Sequence, residues 1–558
     1  MSNFFHGIEH FTFRESAKPV SDLSASIIGL IGTAGKGPVN TPIIINGSLP
    51  QAIALFGELH NDGFSIVESL DTIFEQGGAV VVVVNVCDPL VHTSQKVGDF
   101  IQLNARNQSR TSRQYISDVS LDGNTLFVQK TFDSDRKIRI AKTAVGGVAG
   151  CYRMVDGEIT AIQGGIASSE TDDDYVFTGS EGLFDKGSTV WVAYGPKSAV
   201  QLGTHVVVNQ ENGKVTVPFQ HDQILRGSAV RLSYSFVDPT KVTEEDVIGA
   251  IEGDGTLTGL KVLEASPSTV NVMLKPRILI APRFTQEVEN VNVVNPVTAA
   301  LESACMRLNG RCIVDADPEA TFEQAYAYAQ TLNVEDSRVG HLAFPYIMWK
   351  DPDAPGLYAR PMSALLAGRM AATDREAGGE HVSISNKPVR GVKGLSRPID
   401  YAVTRFGPTS GESTANTLNA VGITTVIFEN GPRIWGNRQP NMDFLCTMRT
   451  FDMIVEAIAV AQLWAVDMPV NSPAFLEQIE DQVRAYLRSK EARGHIVKNP
   501  DPAKMADVWI DPALNPVSEL EQGRLRFGFR ANAAPPLERL RIDAYMTNAY
   551  LSSIIVNR

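Results

Sequence analysis

Apolar residues fall along this chain in three textures, and each predicts a different kind of element. The first runs from Ala25 to Asp88: ASIIGLIGTA, a Gly/Pro turn, PIIIN, the helix-like SIVESLDTIFEQGG, then AVVVVVNV at 79–86. Five valines without polar alternation predict a strand buried on both faces, which suits a sheet covered by helices. Strand and helix alternating here predict an α/β layer. Around 96–236 the texture becomes short strands broken by DG, NG, GG and GS turns, as in STVWVAY and KVTVPF, the pattern of an all-β module inserted into the first. Helix-and-strand alternation then returns with TEEDVIGAIE, PRILIAPRF, the helix VTAALESACMRL, the strand CIVDAD and the helix TFEQAYAYAQTL.

The third texture is C-terminal. In NSPAFLEQIEDQVRAYLRSKEARGH, residues Phe475, Leu476, Ile479, Val483, Tyr486 and Leu487 recur on one helical face. Ser472 stands as N-cap, Pro473 in the first turn and Gly494 past the end. RLRFGFRA reads as a strand, and after Pro535-Pro536 the residues Leu540, Ile542 and Ala544 alternate with charged ones as in a strand with one covered face. The first twenty residues, with Phe11 and Phe13 alternating before Pro19, read as an extended arm.

At 558 residues the chain exceeds what one core usually serves, so several lobes are expected. An apolar share of 43% with 20% charged residues allows a buried core, and a net charge of -13 argues against general nucleic-acid binding. Five cysteines without a C-x-x-C predict reduced, buried thiols in a cytoplasmic protein rather than a disulfide framework or zinc ribbon. The opening lacks the order of a secretory signal, and the valine run is less than half the length that crosses a bilayer.

Four stretches imitate chemical motifs. His6-Gly-Ile-Glu9-His10 spells H-x-x-E-H, a zinc hydrolase signature, but Gly7 interrupts the turn and FTF continues with period two, so an extended segment fits better. GLIGTAGKGP resembles a phosphate loop but has Leu30 and Gly37 where Gly and Ser/Thr belong, and no helix follows. Asp374, Glu376 and Glu380 near His381 read either as paired carboxylates or as a solvated helix end. The acidic run 170–174 lacks the Gly and terminal Glu of a calcium loop and reads as a surface loop.

Taken in order, FFHGIEH, TPIIINGSLPQAIALFG, YSFVDPTKVTEEDVIGAIE, TLTGLKVLE, ILIAPRF, AGRMAATDREAGGEHVSISNKPVRGV, LNAVGITTV and NGPRIWGNRQ resemble the contractile tail sheath family of myophages. The branch resembled is the P2-like, R-type pyocin-like one. The matches cover most of 1–95 and 235–558, and 96–234 resembles nothing nameable. Residues 380–385 depart from the family's usual approach to Asn386.

The resemblance implies an α/β (mixed α+β) sheath core with an inserted all-β domain and extended terminal strand arms. The implied divisions are an arm at 1–20, core at 21–95, an outer all-β domain at 96–236, core at 237–430, a C-terminal subdomain at 431–534 and an arm at 535–558. It implies a structural subunit, not an enzyme, that stacks as hexameric rings around an inner tail tube and contracts from a metastable state. The partners implied are further copies of the chain, the tube protein, and baseplate and tail terminator proteins. No cofactor, metal, direct nucleic-acid contact or membrane insertion is implied, and the location is the virion tail after assembly in the host cytoplasm.

Contacts between subunits are expected from Phe4, Phe5, His6, Ile8, Phe11 and Phe13 at one end and from Leu540, Ile542, Tyr545, Tyr550, Leu551 and Ile554 at the other. The family-motif core comprises Arg369, Asp374, Arg375, Asn386, Arg390, Gly391, Arg433, Trp435, Gly436 and Arg438. Hinges are expected near Ala17–Asp22 and Asn532–Pro536. A related contractile injection machine and a zinc hydrolase are the other readings.

Overall fold

The valine run forms strand β3 (Val80–Asn85), and its side chains divide by parity between two cores. Val81 and Val83 join one apolar cluster with Ile28 and Leu30, while Val82 and Val84 join the opposite cluster with Ile31. Successive strand residues point to opposite faces, so a strand between two helical layers must be apolar at nearly every position. The computed structural model describes residue 20 and residues 24–548, apart from 112, 124, 143, 156–157, 219–223, 270–271, 287–291, 405–412, 471 and 501–506.

β3 pairs in parallel with β1 (Ile28–Gly32) and antiparallel with β2 (Ile43–Asn46). Helices α1 (Leu49–Phe56) and α2 (Ile66–Glu75) connect β2 to β3. Between Thr93 and Val237 the described residues form strands, β4 to β16, and no helix. Six of these, with the strand Ile116–Leu121 beside them, make a seven-stranded sheet, and the rest make two three-stranded sheets. They enclose their own apolar cluster, with Val128, Val192, Tyr194 and Leu232 at its centre.

Tyr115 seats these strands on the rest of the molecule. Its ring meets Phe64 edge-on at 5.9 Å, and its hydroxyl donates to the Phe56 carbonyl at 3.4 Å. A Cβ on Gly35 would lie 1.9 Å from a Tyr115 ring carbon, so glycine there makes room for an aromatic ring. That accounts for the phosphate-loop look of GLIGTAGKGP, which is followed by β2 instead of a helix.

After α3 (Glu244–Ile248) and α4 (Gly259–Ala265), the large sheet resumes through β17 (Ile278–Ile280), β18 (Arg311–Asp315) and β19 (Val339–Ala343). Helices α5 (Pro296–Leu308) and α6 (Phe322–Thr331) lie between these strands in sequence. A small sheet follows, β20 (Ile347–Lys350), β21 (Leu357–Arg360) and β22 (Gly394–Leu395), with α7 (Ser363–Ala377) between its last two strands. α8 (Thr414–Asn419), β23 (Ile423–Ile427) and β24 (Arg433–Trp435) complete the layer. The eight-stranded order is β2-β3-β1-β17-β18-β19-β23-β24, parallel inside and antiparallel at both edges. α1, α2 and α7 pack on one face and α3, α4, α5 and α6 on the other.

α9 (Leu445–Ala461) and α10 (Pro473–Ala492) form a further body with the two-stranded sheet β25 (Val508–Trp509) and β26 (Gly528–Phe529). On α10 the expected face is buried at Ile479, Val483, Tyr486 and Leu487 and half-buried at Phe475 and Leu476, but Ser472 makes no capping bond through its side chain. RLRFGFRA contributes only the two residues of β26. Leu540 and Ile542 are 71% and 79% exposed, and 535–548 forms no strand, so the covered face read from their alternation is not supplied by the described residues. A strand needs a ladder partner as well as a pattern. All five cysteines are free and buried. Among the described residues no helix is long and apolar enough to cross a membrane.

Candidate functional site at the roots of the chain ends

The motif helix α7 lies unusually deep. Every residue from Ser363 to Asp374 is buried, because its small side chains let it approach α2 closely: a Cβ on Gly368 would lie 2.7 Å from the Ile73 carbonyl oxygen. Its N-terminal amide at Ser363 donates to Asp315 Oδ1 at 2.8 Å, at the end of β18. Burial pushes the Asp315 carboxyl up to about 6, against the hydrogen bonds from Ser363.

At the other end of α7, Asp374 receives both guanidinium nitrogens of Arg449 from α9, at 3.0 and 2.5 Å, and the Ser26 hydroxyl at 3.2 Å. Arg449 also donates to the Ala25 carbonyl at 3.1 Å. Burial works against the Arg449 charge, and Asp374 more than offsets it, holding the guanidinium above its ordinary value. Asp374 therefore clamps three strangers in sequence: the segment entering β1, the motif helix and α9. The carboxylates that might have acted together go separate ways, Asp374 to Arg449, Glu376 to Arg369 and Glu380 into burial. The helix end is solvated at Arg375 and Glu376, which are exposed, whereas Asp374 and Glu380 are 3% and 4% exposed.

The remaining motif residues hold loops. Arg369 donates to Thr373 Oγ1 at 3.1 Å as well as to Glu376. Arg375 donates to the Gly78 and Gly77 carbonyls at 2.8 and 2.7 Å, closing the C-terminus of α2. Arg390 meets Gln76 through both its backbone amide and its carbonyl. Gly391 has φ +82 and lies under Trp349, whose ring a Cβ would overlap at 1.8 Å. Asn386 is left-handed at φ 61, and its carbonyl accepts from Arg433 at 3.0 Å. Trp435 pairs with Thr425 in β23, and Gly436, at φ +139, packs on Thr424.

Arg438, the last of the set, reaches furthest. It makes two parallel bonds to Glu538, at 2.8 and 2.7 Å, donates to the Met442 carbonyl at 2.5 Å and lies 4.0 Å over the Phe444 ring. The hydrogen bond from Glu538 is the main reason its charge is held above the ordinary arginine value.

Glu538 stands just past the point where the C-terminal segment leaves the body. Ile496 bridges Ala533, Val497 N–H donates to the Asn532 carbonyl at 2.8 Å, and Ala534 N–H donates to the His495 carbonyl at 3.0 Å. Pro535 and Pro536 have no amide to continue that ladder. Beyond Glu538, Leu540, Ile542 and Tyr545 are exposed. At the other end, Val20 packs on the same C-terminal body, against the cluster that holds Phe527, Phe529 and Ala531. Phe4, Phe5, His6, Ile8, Phe11, Phe13, Tyr550, Leu551 and Ile554 lie outside the described residues, as do Glu9 and His10 of the zinc-like stretch and most of the expected N-terminal hinge. Among the described residues no group of three or more His, Cys, Asp or Glu side chains is arranged to hold a metal.

The Arg438–Glu538 pair is half in water, so Glu538→Gln is expected to change global stability by less than about 1 kcal/mol. Its effect is local. Limited proteolysis should cut the segment after residue 538 faster in the variant, with the melting transition unchanged.

Sequence reading missed a charged seam along α9. Asp452 accepts from Arg311 at 2.7 Å and Arg338 at 3.1 Å, while Glu456 accepts from Arg277 at 2.5 and 2.8 Å, Lys275 at 2.7 Å and Asn309 at 2.6 Å. Burial opposes the Glu456 charge, and the bonds from Arg277, Lys275 and Asn309 overcome it, holding the carboxyl down to about 2. The signal was present in LCTMRTFDMIVEAIAV: Arg449, Asp452 and Glu456, three and four residues apart, put charges on one face of an otherwise apolar helix.

Residues 262–439 match the family model of the phage tail sheath protein central domain. The chain is 29% identical to the tail sheath protein of Burkholderia phage BcepMu, with 99% of each chain covered. It is 30% identical to a putative prophage major tail sheath protein of Pseudomonas aeruginosa strain UCBPP-PA14, over 55% of this chain and 74% of the relative. It is 29% identical to the tail sheath protein of Escherichia phage P2, over 56% and 74%. Among solved structures, it has the fold of the PVC sheath of an extracellular contractile injection system in the contracted state, with TM-score 0.51, 12% identity and 98% and 99% coverage.

Proposed function

This chain belongs to the phage tail sheath family, in the branch that includes the phage P2 protein, and from that premise we propose that it builds the contractile sheath by exchanging its two ends between copies. As a member of a structural family it is not an enzyme. One observation carries the exchange: the segment 535–548 forms neither strand nor helix, is apolar at Leu540 and Ile542, is exposed there, and is rooted beside a sheet of only two strands. Two strands by themselves are marginal in water, and an alternating segment without a partner is the natural third strand of another copy's sheet. The N-terminal segment starts from the same body at Val20, so both ends are available where β25 and β26 lie. An arm of about twenty residues spans roughly 60 Å when extended, far enough to reach a neighbour.

Head-to-tail contacts of this kind need not close on themselves, and hexameric rings stacked around the inner tube follow from repeating them. Contraction is then a rigid-body rearrangement of cores about the arm roots, with energy stored at assembly rather than supplied by a nucleotide. The clamp at Asp374 and the seam along α9 support this, since they tie the arm-bearing body firmly to the main sheet. The strands between 93 and 237 serve as an outer domain, because an addition facing the tube would obstruct it. The phage P2 and Pseudomonas relatives, in which 55–56% of this chain matches 74% of theirs, are shorter, in keeping with an added segment here. Tube, baseplate and tail terminator proteins are the further partners, and the virion tail is the location.

Electron microscopy of the full chain expressed alone tests the reading. Striated hollow cylinders are expected; a population of single subunits at every concentration would reject it.

A further inference from the structure

We propose that the stacked pair His381–His495 is an acid-operated latch on the root of the C-terminal arm. The two rings lie 3.9 Å apart at 21°, His381 from the loop after α7 and His495 from the turn after α10. Gly379 admits the ring: a Cβ there would lie 2.5 Å from His495 Cε1. His495 is part of the root itself, its carbonyl accepting from Ala534, and its neighbour Ile496 bridges Ala533. The buried Lys490 ammonium faces His495 Nδ1 at 3.3 Å, a contact that needs that nitrogen to be an unprotonated acceptor. A proton on either ring therefore places an imidazolium against an ammonium or against the other ring.

The charges around the pair come from every element packed on it. Asp374 of α7 favours a protonated His381, while Lys490 and Arg493 at the end of α10 oppose it; Glu380 of the same loop meets the charges of Lys490, of Arg449 on α9 and of Asp374. Burial first and Lys490 second hold His381 below the ordinary imidazole value, so the opposing side wins. The latch is thus fully in place above the ordinary histidine range and is lost as pH falls through the depressed value. Burial holds Glu380 above its ordinary value, against the nearby Lys490 and Arg449 charges. The α9 seam does not open in that range, because Glu456 stays ionised until about 2. Mild acid therefore frees the root while leaving the body attached to the sheet.

Hydrogen exchange of the full-length chain at the amides of Val497 and Ala534, expressed as protection factors between about pH 7.5 and about pH 5, tests this. A loss of at least about tenfold is expected at the root, with no change in β3. His381→Phe keeps a stacked ring but removes one of the two titrating groups and should reduce the loss; His381→Asn serves the same purpose if the larger ring disturbs folding. An unchanged root in the parent chain, an equal loss in both variants, or parallel loss in β3 overturns the latch. The measurement reads the root and not assembly, so normal cylinders without acid opening reject the latch alone, and acid opening in a chain that assembles without its arm rejects the exchange alone.

Discussion

Asp374→Ala is expected to lower the free energy of unfolding by about 3–5 kcal/mol, read from the urea midpoint at constant slope. The side chains of Asp374 and Arg449 are 2% and 6% exposed, so removing the carboxylate leaves a guanidinium in the interior without its hydrogen-bonded partner. The cost is therefore the desolvation of an unpaired ion, not the modest net gain of forming a pair. The same change removes the acceptor of Ser26 and loosens the partner of Ala25, so protection of the segment entering β1 should fall together with global stability. Asp374→Asn keeps the shape and one acceptor and should cost less than Asp374→Ala. A loss below about 1 kcal/mol for Asp374→Ala would mean that the clamp is solvated, as exposed pairs are.

Deleting residues 538–558 is expected to abolish cylinders while leaving a folded body. The reasoning rests on where the chain is attached. The ladder between 495–497 and 532–534 stays in the truncated chain, and what is removed beyond Glu538 is exposed at Leu540, Ile542, Tyr545 and Met546. Surface segments of this kind contribute little to their own body's stability, so the melting transition should move by less than about 1 kcal/mol in equivalent terms. Assembly should respond in the opposite manner, because each contact between copies would lose a strand and its main-chain hydrogen bonds. Sedimentation should then give single subunits where the parent chain gives long polymers. Polymers of normal length from the truncated chain would remove the exchange of ends from the mechanism.

The contrast between these two variants reflects two kinds of polar contact in one molecule. Asp374–Arg449, Asp452 and Glu456 lie between bodies that must stay together, and they are buried or nearly so. Arg438–Glu538 lies where a segment must be guided but not fixed, and both partners keep part of their hydration. A pair that remains in water is cheap to break and remake.

Elements whose evidence is contiguous were legible from the chain alone. Val80–Asn85 as a doubly buried strand, Pro473–Ala492 as an amphipathic helix and the strand-rich texture between 93 and 237 each follow from the spacing of neighbouring side chains. So did the family, because motif residues such as Gly391 and Gly436 occupy backbone conformations that admit few alternatives. Partnerships were decided only by the tertiary structure. Asp374 meets Arg449 across 75 positions, His381 stacks on a histidine from the turn after α10, and Gly35 faces Tyr115 rather than a phosphate. Leu540 and Ile542 carry the alternation of a strand but join no strand among the described residues. Periodicity is a property of consecutive residues, whereas a charge or an unpaired edge finds its partner only where folding brings distant segments together.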